Sequence, residues 1–119
     1  MSYSPSFQSI EQINVQEFAE RQQVTVAPLQ LIDVREPQEL ALAKLDGFYH
    51  LPLSRFADWS MQVTEHLDPE IETIVMCHHG IRSAQMCGWL KQQGFSDVKN
   101  LTGGIDAYAV YIDPHIPRY

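Results

Sequence analysis

The stretch Ile74-Val75-Met76-Cys77-His78-His79-Gly80-Ile81-Arg82-Ser83 decides the fold. Its first residues are β-branched or apolar, the composition of a buried strand. The run stops at Cys77, a short loop with Gly80 follows, and Met86, Cys87, Trp89 and Leu90 then recur on one face of a predicted helix. A strand–loop–helix turn aims backbone N–H groups and a helix N-terminus at whatever stands in front of the cysteine. That field favours an anion, and the first anion at hand is the Cys77 thiolate. Such surroundings bring a cysteine pKa from about 8.5 to roughly 3.5–7.5, so Cys77 is the expected nucleophile. Arg82 adds a planar donor fork suited to sulfonate, sulfate or phosphate. Gly80 permits the backbone angles of a tight anion cradle, and Ser83 is the expected cap of the helix. His78, His79, Gly80, Ile81 and Ser83 are the expected substrate-binding positions around Cys77. From Thr73 to Ser96 the chain carries Arg82 and Lys91 but no Asp or Glu, so a positive local field is expected there.

Working outward, Asn14 opens a predicted helix with Glu17 as its capping-box partner, fraying at Arg21-Gln22-Gln23. Leu29-Gln30-Leu31-Ile32-Asp33-Val34 reads as a buried strand. Glu36-Pro37-Gln38-Glu39 opens a short helix with proline in the first turn. Asp46-Gly47 signals a turn before a short strand at Phe48-Tyr49-His50-Leu51. Ser54 is the expected cap of a helix carrying Phe56, Trp59, Met61 and Val63. The helix after Cys77 stops at Gly94, Val98-Lys99-Asn100-Leu101 is a strand, and a last helix surrounds Ile105 to Tyr111. Residues 112–119 read as an irregular tail and residues 1–8 as a short polar lead. Strands alternating with helices predict an α/β domain with a mainly parallel central sheet flanked by helices. Ligands in such sheets bind beyond the carboxyl ends of the strands, where both Cys77 and Asp33 fall.

Composition narrows the function. The 119 residues fit one domain, with ordinary hydrophobic (45%) and charged (19%) content that allows a core without metal or disulfide staples. A net charge of -7 argues against general nucleic-acid or anionic-membrane binding. No apolar run is long enough to span a bilayer, and the start has no signal-peptide pattern. The expected location is the cytoplasm. Cys87 reads as helix packing, its functional alternative being a resolving thiol for an oxidised Cys77. A zinc site from Cys77, His78, His79 and Cys87 lacks zinc-type spacing, and no metal is expected. His50, His66 and His115 have no motif around them.

Cys77-x-x-Gly80-x-Arg82-Ser83 resembles the active-site loop of single-domain rhodanese-type sulfurtransferases. Leu31-Ile32-Asp33-Val34-Arg35-Glu36-Pro37 resembles the family's first strand and aspartate-bearing turn. Gly94-Phe95-Ser96-Asp97-Val98 and Leu101-Thr102-Gly103-Gly104-Ile105-Asp106-Ala107-Tyr108 resemble the segments after the active-site helix. Tyr108 stands where the family usually has tryptophan, and His78 and His79 where many relatives carry a fixed basic residue.

The resemblance implies a single rhodanese-like domain over 1–119 and a ping-pong sulfur transfer through a Cys77 persulfide. Arg82 is then the second catalytic residue, and Asp33 and Arg35 are supporting residues. The implied donor is a small sulfur-containing anion such as thiosulfate or a persulfide-bearing protein. The acceptor is a thiol or cyanide, with no cofactor. One rival is a sulfur-carrier or binding module loaded by a partner protein. Another is a phosphatase or arsenate reductase; cysteine phosphatases resemble Cys-x-x-x-x-x-Arg, one residue longer than the loop between Cys77 and Arg82.

Overall fold

The protein is described from a computed structural model covering residues 10–24 and 27–119. The polar lead predicted at 1–8 lies outside the described residues. Five strands form one sheet: β1 (Glu11–Ile13), β2 (Leu29–Asp33), β3 (Tyr49–His50), β4 (Glu72–Met76) and β5 (Val98–Leu101). Their order is β1-β5-β4-β2-β3, and every neighbouring pair is parallel. β4 therefore lies in the middle, with Asp33 beside Met76 and Asn100 beside Val75.

Side chains of β4 alternate between two cores, as a strand buried on both faces requires. Val75 and Cys77 join Ile32, Val34, Met86, Cys87, Leu90 and Phe95 on one face. Ile74 and Met76 join Val15, Phe18, Leu101 and Ile105 on the other. The first face is covered by α5 (Ile81–Gln92) and by two short helices, α3 (Phe56–Trp59) and α4 (Val63–His66). The second is covered by α1 (Val15–Gln23) and α6 (Gly104–Tyr111). Phe18, Ile74 and Leu101 are fully buried there, each side chain contributing about 1.5–3 kcal/mol.

Most predicted elements form for the stated local reasons. Asn14 Oδ1 accepts from the Glu17 N–H at 2.7 Å while the Glu17 carboxylate accepts from the Asn14 N–H at 2.9 Å, closing the capping box of α1. Pro37 starts α2 (Pro37–Leu42) in its first turn. Three expectations need correction. α1 does not fray at Arg21 but runs to Gln23, because the Arg21 guanidinium reaches Glu72 on β4 at 2.9 Å. The helix expected from Ser54 breaks into α3 and α4, each preceded by a 3-10 turn. Ser54 is no cap: its N–H and hydroxyl both donate to Glu36. Phe56 and Trp59 meet Trp89 edge-to-face at centroid distances of 4.9 and 6.0 Å, while Met61 stands 89% exposed. Ser83 does not cap α5 either, for Gly80 takes that place with φ +101° and Ser83 lies inside the helix. The tail after Tyr111 is irregular, as expected, and Ile112, Ile116 and Tyr119 of it pack on the second core. β1 was not foreseen, since only Ile13 of its three residues is buried and the strand lacks alternation.

Candidate active site

Cys77 follows directly on β4, at the carboxyl end of the central strand, and is 1% exposed. The chain turns back over it at once. Its Sγ accepts from the Gly80 N–H at 3.1 Å, the Ser83 N–H at 3.4 Å and the Ser83 hydroxyl at 3.3 Å. The first turn of α5 thus ends on the sulfur, as the strand–loop–helix reading required. Ser83 leaves its expected capping role because its hydroxyl is needed inside the cradle, where it also meets Asn100 Oδ1. The buried Asn100 amide then donates to the Gly80 carbonyl and to Gln12 Oε1, both at 3.0 Å. Sequence reasoning passed over Asn100 as a strand residue. A buried amide in the middle of a parallel sheet was the available signal, since such a group has to find partners.

The loop is also held from the other side by α6. Ile105 N–H donates to the Cys77 carbonyl at 3.0 Å and Asp106 N–H to the His78 carbonyl at 3.1 Å. This approach demands glycine. Gly104 has φ +62°, and a Cβ there would lie 2.3 Å from the Cys77 carbonyl oxygen and 2.4 Å from that of His78.

Arg82 is placed differently from the free oxyanion fork expected. Its Nη1 and Nη2 donate to the two carboxylate oxygens of Glu39 at 2.7 and 2.9 Å. The stretch around Cys77 is free of acids in sequence but not in space, because α2 delivers Glu39 to it. The Arg82 guanidinium holds the Glu39 carboxyl well down, to about 2. Both groups are charged throughout the neutral range, and Arg82 is engaged as an anchor for the start of α5.

Asp33 and Arg35 form a buried ion pair, with Arg35 Nε and Nη2 donating to the Asp33 carboxylate at 3.0 and 2.8 Å. Arg35 Nη1 extends the chain of contacts to the Tyr119 hydroxyl at 2.9 Å, and that hydroxyl donates to Glu39 at 2.9 Å. The sequence therefore missed Tyr119, which joins the supporting pair to the loop anchor. Its position in a tail without periodicity gave no signal.

His78 lies between two rings, stacked on His79 and on Tyr119 with centroids 3.9 Å away in each case. Its Nε2 is buried with no hydrogen-bond partner among the described residues. Burial, and then the neighbouring His79, push its pKa down, so the neutral ring is the form present at neutral pH. His79 is more exposed and stands 3.8 Å from Asp106. Donor atoms of His78, His79 and Asp106 lie within 4.8 Å of one another. Arg118, however, already covers both Asp106 carboxylate oxygens at 2.8 and 3.1 Å. Cys87 is fully buried in the first core, and burial pushes its thiol up to about 12. That protonated thiol fits packing rather than a resolving nucleophile. Ile81 is 72% exposed. With His79, Gly80, Asn100 and Gln12 it lines a cleft of about 390 Å³ on the flank of the loop, not directly over Cys77.

Known proteins share this architecture. The rhodanese-like domain family matches residues 14–110. The chain is 46% identical over 112 residues to the Rhodanese-like/PpiC domain-containing protein 12, chloroplastic, of Arabidopsis thaliana, covering 92% of this chain and 38% of that protein. It thus spans well under half of that relative. It is 33% identical over 79 residues to the thiosulfate sulfurtransferase GlpE of Pseudomonas aeruginosa, covering 66% of this chain and 68% of the relative. The solved structure of a rhodanese-related protein from Thermoplasma volcanium superposes with a TM-score of 0.70 at 26% identity, covering 92% of this chain and 99% of that one. With the five-stranded parallel sheet and the cysteine loop at the end of its central strand, the chain belongs to the rhodanese-like domain family.

Proposed function

We propose that the protein is a sulfurtransferase that carries sulfane sulfur on Cys77. The observation that carries this reading is the convergence of the Gly80 N–H, the Ser83 N–H and the Ser83 hydroxyl on Cys77 Sγ. Donors fixed in a buried site stabilise sulfur anions without reorganising during the reaction. In the first step the Cys77 thiolate attacks the outer sulfur of thiosulfate. The new S–S bond forms as the old one breaks, and sulfite leaves with the electron pair. In the second step cyanide or a thiolate attacks the outer persulfide sulfur, and the Cys77 thiolate departs. Neither step needs a metal, a redox partner or a net proton. The acceptor class is a soft nucleophile, and a persulfide-bearing protein is the alternative donor.

The engagement of Arg82 with Glu39 supports anion binding by the backbone cradle, with Arg82 fixing the loop. A phosphatase reading is disfavoured on the same ground, because its arginine has to be free to grip a phosphoryl group. The near-complete burial of Cys77 favours one second reading, a carrier that receives sulfur only from a docked partner. Incubation with thiosulfate followed by intact-protein mass spectrometry tests the proposal. One added sulfur atom is expected, mapped to the Cys77 peptide and removed by cyanide with formation of thiocyanate. An unmodified mass under excess thiosulfate would refute turnover of free donor and leave the carrier reading.

A further inference from the structure

We propose that Tyr119 is a positioning residue for the Cys77 loop, holding both of its ends through one phenol. This rests on the sulfur-transfer reading and adds a part the loop motif does not contain. The Tyr119 ring stacks on His78, the residue next to Cys77, with an interplanar angle of 9° and centroids 3.9 Å apart. Its hydroxyl accepts from Arg35 Nη1 and donates to Glu39 Oε1, each at 2.9 Å. Glu39 is the carboxylate that holds Arg82 at the far end of the loop. A single side chain therefore touches position 78 by its face and position 82 through one intermediary.

The rest of the tail is built to keep it there. Arg118 grips Asp106 with two hydrogen bonds, and Asp106 N–H in turn holds the His78 carbonyl. Ile116 and Tyr119 both pack on the second core. The Asp33–Arg35 pair behind the phenol is almost wholly buried, so the anchor itself is rigid. The two halves of the phenol do separable work. The hydroxyl aligns Glu39 so that Arg82 keeps the first turn of α5, and with it the Ser83 N–H, on the sulfur. The ring limits His78 to one orientation and shields it from water.

The test compares Tyr119→Phe and Tyr119→Ala with wild type, each checked for cooperative unfolding, by three measurements. These are the rate of sulfur loading from thiosulfate, hydrogen exchange at the Arg82 guanidinium, and the His78 ring titration by NMR. Tyr119→Phe keeps the ring and loses the bridge: loading slows about tenfold, the loss of one charge-assisted contact, and Arg82 exchanges faster. His78 titrates as in wild type. Tyr119→Ala loses both, so loading slows as in Tyr119→Phe and His78 also titrates higher, toward an ordinary imidazole, as the burial that holds it down is relieved. Wild-type loading and Arg82 exchange in Tyr119→Phe would overturn the bridge. An unmoved His78 in Tyr119→Ala would overturn the stack. Should wild type take up no sulfur, the sulfurtransferase reading fails by itself, and the two NMR measurements still decide the clamp.

Discussion

Arg82 and Glu39, 43 residues apart in sequence, face each other fork to fork at 2.7 and 2.9 Å beside the Cys77 loop. Arg82 holds the Glu39 carboxyl at about 2 in the folded protein, against an ordinary value of 4.5. A carboxyl whose pKa is depressed by folding contributes stability that is complete above its unfolded pKa. That contribution is lost as pH falls toward the folded value. Wild type is therefore expected to lose stability between pH 4.5 and about 2 more steeply than Glu39→Gln. Urea unfolding across that range measures the difference, and parallel curves would show that the pair is not linked to folding.

The same pair predicts non-additive kinetics. Arg82→Lys replaces a two-pronged grip with a point charge, and Glu39→Gln removes the charge that the grip was built for. Each single change is expected to slow sulfur loading on the order of tenfold, and the double change scarcely further. Rates measured for all four proteins close the cycle. Strict additivity would mean that Arg82 contacts the donor directly, independently of Glu39.

The two cysteines should separate cleanly. Cys77→Ser is expected to abolish sulfur uptake with the fold retained, because the cradle accepts a hydroxyl in place of the thiol. Cys87→Ser keeps sulfur uptake but places a new hydroxyl in the first core, at a cost of about 1–3 kcal/mol. Mass spectrometry and thermal unfolding of both variants provide the check. Equal loss of uptake would indicate a two-thiol mechanism instead.

Gly104→Ala tests the docking of α6 on the loop. The added methyl would overlap the Cys77 and His78 carbonyls, and neither is a flexible side chain that can swing away. Expected results are a stability loss of about 2 kcal/mol or more and sulfur loading reduced beyond what Arg82→Lys produces. Gly94→Ala is the control for backbone strain alone, since Gly94 also has positive φ but nothing within 4 Å of a Cβ. Similar activity loss in both would remove the special role of the α6 contact.

Much of the fold was legible because it rests on local chemistry. The capping box of Asn14 and Glu17, Pro37 at a first turn, and the buried β4 run ending at Cys77 each depend on residues close in sequence. The break in the helix from Ser54 was not legible. The Glu36 carboxylate that receives the Ser54 N–H and hydroxyl lies 18 residues away, and the ring that Phe56 meets belongs to α5. β1 escaped for a related reason: it exists by pairing with β5 rather than by its own pattern.

At the site, the sequence by itself determined which residue heads the loop and that backbone N–H groups converge on it. A strand end, a positive-φ glycine and a helix start fix that geometry within seven residues, Cys77 to Ser83. Only the tertiary structure decided the charge state of the surroundings. The β2–β3 crossover brings Glu39, and the chain after the last strand brings Asp106 and Tyr119, to the same sheet end as Cys77, so the fork of Arg82 meets a carboxylate before any substrate does. Hydrogen bonds and ion pairs act through space over a few ångströms, and their partners here lie tens of residues apart along the chain.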